Sequence, residues 1–201
     1  MSLAHPTAIL ITGASSGIGR GLATAYAGHG ISLYLSGRDA DRVEAVAAEC
    51  RERGAQAEAK VIDVTDADAM AAWIKEADAK TPLDLVIANA GISNSTSGIE
   101  DADQRARRIL DVNINGVVNT VEPALTAMDA RDKGQIAIIA SIAGFRGLPA
   151  SAAYSASKAA VKAWGEALRG ERLYKGVRVN VVCPGWVVSR ITDANKFPMP
   201  F

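Results

Sequence analysis

The chain has 201 residues, 49% hydrophobic and 22% charged, a composition that excludes an intrinsically disordered protein and allows one sizeable domain. Its 22 basic side chains balance 22 acidic ones, and aromatic residues make up only 5%, so neither electrostatic capture of nucleic acid or an anionic membrane nor a base-stacking platform is supported. Cys50 and Cys183 form no paired motif, and His5 and His29 are the only histidines, which leaves little material for a disulfide framework, a metal site or a Ser-His-Asp hydrolase.

No basic and then apolar leader opens the sequence, and no apolar run approaches the roughly 18 residues that cross a bilayer. A soluble cytoplasmic protein is expected, with no membrane or nucleic-acid partner and no metal.

Short runs rich in Val, Ile and Leu predict strands over residues 8–12, 31–36, 57–62, 83–88, 136–140 and 177–183, buried on both faces. Between them lie longer segments with apolar residues every three or four positions, such as Val43, Val46, Ala47 and Cys50, which predict amphipathic helices. Helices are expected from residue 20 to about 30 and over 40–49. Thr65 and Asp66 supply cap oxygens, Gly30 and Gly54 mark helix ends, and Pro82 stops a helix before its strand. Strand and helix taking turns along the whole chain imply parallel strands joined by right-handed crossovers. The expected fold is a single doubly wound α/β domain, a Rossmann-type sheet of about six strands in the order 3-2-1-4-5-6 with helices on both faces.

The first strand runs into Thr12-Gly13-Ala14-Ser15-Ser16-Gly17-Ile18-Gly19 and then a helix. Such a turn presents unpaired N–H groups and the positive end of the helix dipole, and glycines let the backbone approach a pyrophosphate. The spacing Gly-x3-Gly-x-Gly departs from the common G-x-G-x-x-G dinucleotide pattern. The second strand ends Ser36-Gly37-Arg38. Gly37 has no side chain to hold a ribose hydroxyl, whereas Arg38 can pair with a 2′-phosphate, so NADP(H) is favoured over NAD(H) and Asp39 reads as a helix cap.

Ser141 ends the fifth strand, on the rim where open α/β sheets bind ligands. Tyr154 and Lys158, one helical turn apart, share a face, and a neighbouring ammonium lowers a phenol pKa toward useful proton exchange. Ile92, Leu148 and Trp186 lie near the same rim as pocket or core residues, and Arg105, Arg107 and Arg108 read as a solvated helix face. Cys183 reads as buried strand filler.

In these residues the chain resembles the short-chain dehydrogenase/reductase family, over residues 8–189 in order and spacing. Thr12 to Gly19 is similar to the family's cofactor turn, Asp63-Val64 to its adenine-contacting pair, and Asn89-Ala90-Gly91 to its N-N-A-G strand end with Ala88 replacing the first Asn. Asn113 falls on a helix-kinking asparagine, Ser141, Tyr154 and Lys158 on the catalytic set, and Pro184-Gly185 on a proline-glycine after the sixth strand. Ser189 stands where many members have Thr. The resemblance implies cofactor contacts at Gly13, Ser15, Ser16, Gly17, Ile18, Gly19, Arg38, Asp63, Val64, Asn89, Ala90, Gly91, Tyr154, Lys158, Pro184, Gly185, Val187 and Ser189.

The resemblance also implies hydride transfer between NADP(H) and a small-molecule carbonyl or secondary alcohol. Ser141 would hold the substrate oxygen and Tyr154 would act as general acid/base. Lys158 would lower the Tyr154 pKa and bond the nicotinamide ribose, and Asn113 would hold a water linked to Lys158. A catalytically idle NADP(H)-binding subunit and a dehydratase or epimerase of the same fold are the alternatives. A homodimer or homotetramer is implied, through the helices around residues 105–128 and 154–174. After Val188 the family would continue with a substrate-covering helix and a last strand that this sequence lacks, so an intact protein heavier than 20.9 kDa is expected.

Overall fold

In the computed structural model, residues 5–189 are described. The expectations for residues 190–201 fall outside that range. Six strands, β1 (Ala8–Ile11), β2 (Ser32–Gly37), β3 (Gln56–Val61), β4 (Leu85–Ala88), β5 (Gly134–Ile139) and β6 (Val177–Val182), pair in parallel in the order β3-β2-β1-β4-β5-β6. The helices between them are α1 (Gly17–Tyr26), α2 (Ala40–Glu52), α3 (Ala67–Lys80), α4 (Ala102–Leu110), α5 (Gly116–Ala130) and α6 (Ala152–Glu171). The expected doubly wound Rossmann-type sheet is the observed one.

Successive strand residues face opposite sides, and in a sheet covered on both faces both sets must be apolar. On one side Ile9, Ile11, Leu33 and Leu35 pack with Ala23 of α1 and Val43, Val46 and Cys50 of α2. On the other, Leu10, Val86, Ile136 and Ile138 pack with Met70 and Trp73 of α3, Val121 and Leu125 of α5, and Val161 and Leu168 of α6. Burial on both faces holds for β1 and β4, all of whose residues are buried. It fails for β3, an edge strand whose Gln56, Glu58, Lys60 and Val61 are exposed, and for β6, whose Arg178 and Val182 are exposed. Edge strands have one neighbour and carry charge that discourages pairing with another chain.

Helix ends follow local chemistry. Asp39 caps α2 by accepting from the Arg42 N–H at 3.0 Å, as its sequence position predicts, and Asp66 caps α3 by accepting from the Ala69 N–H at 3.0 Å. α1 spans Gly17–Tyr26 instead of 20 to about 30, because the first turn is built from the glycine segment itself and the chain turns extended at Ala27. Cys183 lies just past β6 and is only partly buried, packed against the core instead of filling the strand.

Between α4 and α5 the chain makes a π-helical turn, Asp111–Asn115. Such a turn carries an extra residue in the helix and re-aims the side chains around it, often at a functional site. It carries Asn113 into the interior with no exposed surface.

Candidate active site

Because every strand is parallel, all six carboxyl ends lie on one rim, and a cleft of about 370 Å³ runs along it. At its centre β1 turns into α1. Gly13 and Gly17 adopt φ of +66° and +54°, a region that disfavours side chains. A Cβ on Gly13 would lie 2.7 Å from the Ala90 Cα, and one on Gly19 would lie 2.3 Å from the Gly13 carbonyl oxygen. The turn is therefore a tight backbone cradle. Gly13, Ser15, Ser16, Gly17 and Ile18 line the cleft, while Gly19 sits behind them and permits the close approach.

The cradle is braced from β4. The Asn89 side-chain amide donates to the Thr12 and Gly13 carbonyls at 3.0 and 3.1 Å, and the Thr12 hydroxyl accepts from the Asn89 and Ala90 N–H groups at 3.1 and 3.2 Å. Asn89 thus lines the cleft with its amide committed to shaping the turn. Thr12, fully buried, is a bracing residue that spacing alone did not single out.

Beyond the turn lies the end formed by β2 and β3. Arg38, exposed, and Asp39 line it, and so does Arg42 from the first turn of α2. Asp63 and Val64 form the next wall. Asp63 accepts from the Thr65 N–H and hydroxyl at 3.1 and 2.8 Å and forms an ion pair with Arg108. Burial opposes ionisation of Asp63, but the Thr65 bonds and the Arg108 guanidinium outweigh it and hold the carboxyl below its usual range. Arg108 also reaches Thr65 at 3.1 Å and Asp111 at 3.4 Å. Arg108 therefore departs from the solvated-face expectation. It faces inward because it meets Asp63 and Thr65 in the loop after β3, a tertiary contact that helical periodicity does not encode. Arg107 fits that expectation, pairing with Asp103 on the surface.

At the other end stand Ser141, Tyr154 and Lys158. Ser141 caps a short 3-10 turn, Ile142–Gly144, its hydroxyl accepting from the Ala143 N–H at 3.1 Å. Gly144 then packs on the backbone of Lys158, where a Cβ would come within 2.9 Å of the carbonyl, and this contact seats the turn against α6. Lys158 Nζ lies 5.8 Å from the centre of the Tyr154 ring and donates to the Ile139 carbonyl at 2.8 Å. Burial pushes the Lys158 ammonium down to about 8. Burial also pushes the Tyr154 phenol up, with the Ser141 hydroxyl beside it acting in the opposite direction. Lys158 thus does not lower the Tyr154 pKa as expected, because desolvation favours the uncharged form of both groups.

Asn113 lies beneath this set, outside the cleft wall. Its Oδ1 accepts from the Ile92 N–H at 2.8 Å, and its Nδ2 donates to the Ile92 carbonyl and the Ser157 hydroxyl, both at 3.0 Å. A Cβ on Gly91 would stand 3.3 Å from Asn113 Oδ1 and 3.4 Å from Lys158 Nζ, so the bare glycine leaves a small gap between amide and ammonium. Ser157, buried and unassigned from the sequence, joins Asn113 to α6.

The remaining wall comes from the segment after β6 and the loops facing it. Pro184, Gly185, Val187 and Ser189 line the cleft, with the Pro184 carbonyl accepting from the Ile142 N–H at 3.0 Å. Ser189 closes on the glycine turn, where a Cβ on Gly17 would lie 3.1 Å from its own Cβ. Ala90, Gly91, Ile92, Leu148 and Trp186 complete the lining. Leu148 and Trp186 are about 40% exposed, which marks them as pocket residues and not core. Among the described residues no three His, Cys, Asp or Glu side chains gather as metal ligands, and no helix is long and apolar enough to cross a membrane.

The comparisons with known proteins agree with this geometry. The sequence model of the short chain dehydrogenase family matches residues 7–197. An uncharacterized oxidoreductase of Myxococcus xanthus is 42% identical over 193 residues, covering 96% of this chain and 76% of the relative. A 3-oxoacyl-[acyl-carrier-protein] reductase of Staphylococcus aureus is 35% identical, with coverages of 92% and 76%. Among solved structures, a variant of actinorhodin polyketide ketoreductase with NADPH superimposes with a TM-score of 0.84 at 30% identity, covering 92% of this chain and 73% of that one. A putative NAD(P)-dependent gluconate 5-dehydrogenase from Beutenbergia cavernae, with bound NADP, gives 0.83 at 38%, with coverages of 92% and 75%. With the glycine cradle, the Ser141, Tyr154 and Lys158 set and these matches in one chain, the protein belongs to the short-chain dehydrogenase/reductase family and is an oxidoreductase of that kind.

Proposed function

We propose that the enzyme interconverts a small-molecule carbonyl and a secondary alcohol using NADP(H), with Tyr154 as general acid/base. The observation that carries this reading is one cleft holding Ser141, Tyr154 and Lys158 at one end, an unobstructed glycine cradle in the middle, and Arg38 and Arg42 at the other. The cradle fits a dinucleotide, because its glycines leave open the space that side chains would fill and α1 presents its N-terminus there. The NADPH and NADP bound in two structural relatives lend support, although an NAD complex of another reductase has the same fold.

In this reading the backbone of residues 13–18 receives the pyrophosphate, Asp63 and Val64 flank the adenine, and Arg38 meets the 2′-phosphate. The bound nicotinamide supplies or accepts hydride at the reacting carbon. Ser141 donates its hydroxyl hydrogen to the substrate oxygen and fixes its position. Tyr154 gives that oxygen a proton during reduction and takes one back during oxidation, which relieves the charge that develops there. Lys158 would hold the nicotinamide ribose through its ammonium, and its charge would then work against the burial that raises the Tyr154 phenol. Asn113 keeps the floor under Lys158 fixed and holds a water in the gap beside Gly91.

The test is NADPH consumption, followed by absorbance, with a panel of ketones, alongside the same panel with NADH. Turnover with NADPH on at least one ketone is expected. Tight NADPH binding with no turnover on any panel member would favour the catalytically idle binding protein instead.

A further inference from the structure

We infer that Arg42 is a second specificity-determining cation for the cofactor's 2′-phosphate, held toward the cleft by Asp39, and that Asp39 itself does not read the ribose. The inference rests on the NADP(H) reading and deepens it.

Asp39 follows β2 directly, where an acidic residue bonds the ribose 2′-hydroxyl in NAD-selective sites. Here Oδ1 accepts from the Arg42 N–H at 3.0 Å and Oδ2 from Arg42 Nε at 2.7 Å. Both carboxylate oxygens therefore engage Arg42, and the negative charge that would repel a phosphate is matched. The same contact orders Arg42. Its Nε is used, but its two terminal nitrogens, with four N–H donors, make no hydrogen bond among the described residues. The side chain lines the cleft and also a side pocket behind the glycine turn, beside Ser15 and Ser16, so it stands in the wall between the two.

The other charges nearby point to Arg42 as well. The turn offers hydroxyls at Ser15 and Ser16 and no cation. Arg20 lines the side pocket but is paired with Glu49 at 3.1 Å. Arg38 has no ion-pair partner among the described residues. A dianionic phosphate monoester is best matched by guanidinium forks, and Arg38 and Arg42 are the two that line this end of the cleft. Gly37 keeps the approach open, since a Cβ there would lie 3.2 Å from the Ser15 hydroxyl.

The test is calorimetric titration of the protein with NADPH, NADH, 2′-AMP and 5′-AMP, in wild type and in Arg42→Ala, Arg42→Lys, Arg38→Ala and Asp39→Asn, with thermal melts as the check on folding. Arg42→Ala should weaken NADPH and 2′-AMP about 10- to 100-fold, the loss of a charge-assisted bond, and leave NADH and 5′-AMP within about twofold. Arg42→Lys should restore only part of the loss, because it keeps the charge and loses the fork. Asp39→Asn, which preserves the cap, should leave NADH affinity within about twofold. If Arg38→Ala changes the NADPH to NADH ratio and Arg42→Ala does not, the inference fails and the NADP(H) reading stands. If wild type binds NADH as tightly as NADPH, that reading itself fails. An equal loss of all four ligands in Arg42→Ala makes Arg42 a structural residue of α2 and overturns the inference, as would a loss of NADH affinity in Asp39→Asn.

Discussion

Asn113 donates its amide N–H to the Ser157 hydroxyl at 3.0 Å, and Ser157 donates in turn to the Tyr154 carbonyl at 2.7 Å, so two bonds tie the π-helical turn to the first turn of the helix that carries the proposed acid/base. Both Asn113 and Ser157 are fully buried, where an unmatched polar group is expensive. Ser157→Ala should destabilise the fold by about 1–2 kcal/mol, and Asn113→Ala by more, because it also strips the Ile92 N–H and carbonyl of their partner. Denaturant melts of both variants check this. Equal or smaller loss in Asn113→Ala would show that the π-turn does not depend on its asparagine.

Arg108 pairs with Asp63, which in the proposed reading flanks the adenine. Arg108→Ala should weaken NADPH binding several-fold while kcat at saturating cofactor stays near wild type, because the substrate end of the cleft is untouched. The ion pair is partly exposed, with side chains at 26% and 36%, so its loss should lower stability by no more than about 1 kcal/mol. Separate measurements of cofactor affinity and kcat decide it, and a fall in kcat with unchanged affinity would contradict the positioning role.

The buried Lys158 gives stability a pH dependence with a definite sign. Its folded pKa of about 8 lies below the ordinary 10.5, so between these values the unfolded chain binds the extra proton and stability rises with pH. The whole rise is at most about 3 kcal/mol. Tyr154, pushed above 10.0, takes stability away only as pH climbs past that value, leaving a window from about 8 to 10. Denaturation midpoints of cofactor-free protein should climb across that window in wild type relative to Lys158→Met. Parallel pH profiles for the two proteins would contradict the assignment.

Ala150, just before α6, holds φ at +58° although it bears a side chain, and its carbonyl accepts from the Asn94 side-chain amide. The left-handed region costs a non-glycine residue roughly 1–2 kcal/mol, partly offset by glycine's greater freedom when unfolded. Ala150→Gly should therefore raise the melting free energy by up to about 1 kcal/mol. A destabilised variant would show that the conformation is relieved by contacts stronger than the strain.

Much of this molecule is legible in its sequence because the deciding signals are local. The six apolar runs became six strands within one or two residues at most ends, and Gly13, Gly17 and Gly19 mark a turn that only glycine can make. Asp39 as a cap was readable from its place before α2. What escaped is tertiary. Arg108 is one charge among several in the sequence, and its partners Asp63 and Thr65 lie more than 40 residues away, in the loop after β3. Thr12 and Ser157 are hydroxyls whose partners lie on other elements, at Asn89 and Asn113. The edge position of β3 follows from strand order, not from its residues taken alone. The burial that pushes the Tyr154 phenol up likewise depends on how the 3-10 turn and the segment after β6 close around it.

In the proposed reading Tyr154 moves the proton at the substrate oxygen while taking no large part in holding the cofactor. Its most direct test is Tyr154→Phe, which keeps the ring and removes only the hydroxyl, measured for ketone turnover with NADPH and, by titration, for NADPH affinity. Turnover should fall below detection with the dissociation constant changed less than about threefold, less than the loss of one charge-assisted bond. Substantial residual kcat in that variant would contradict it.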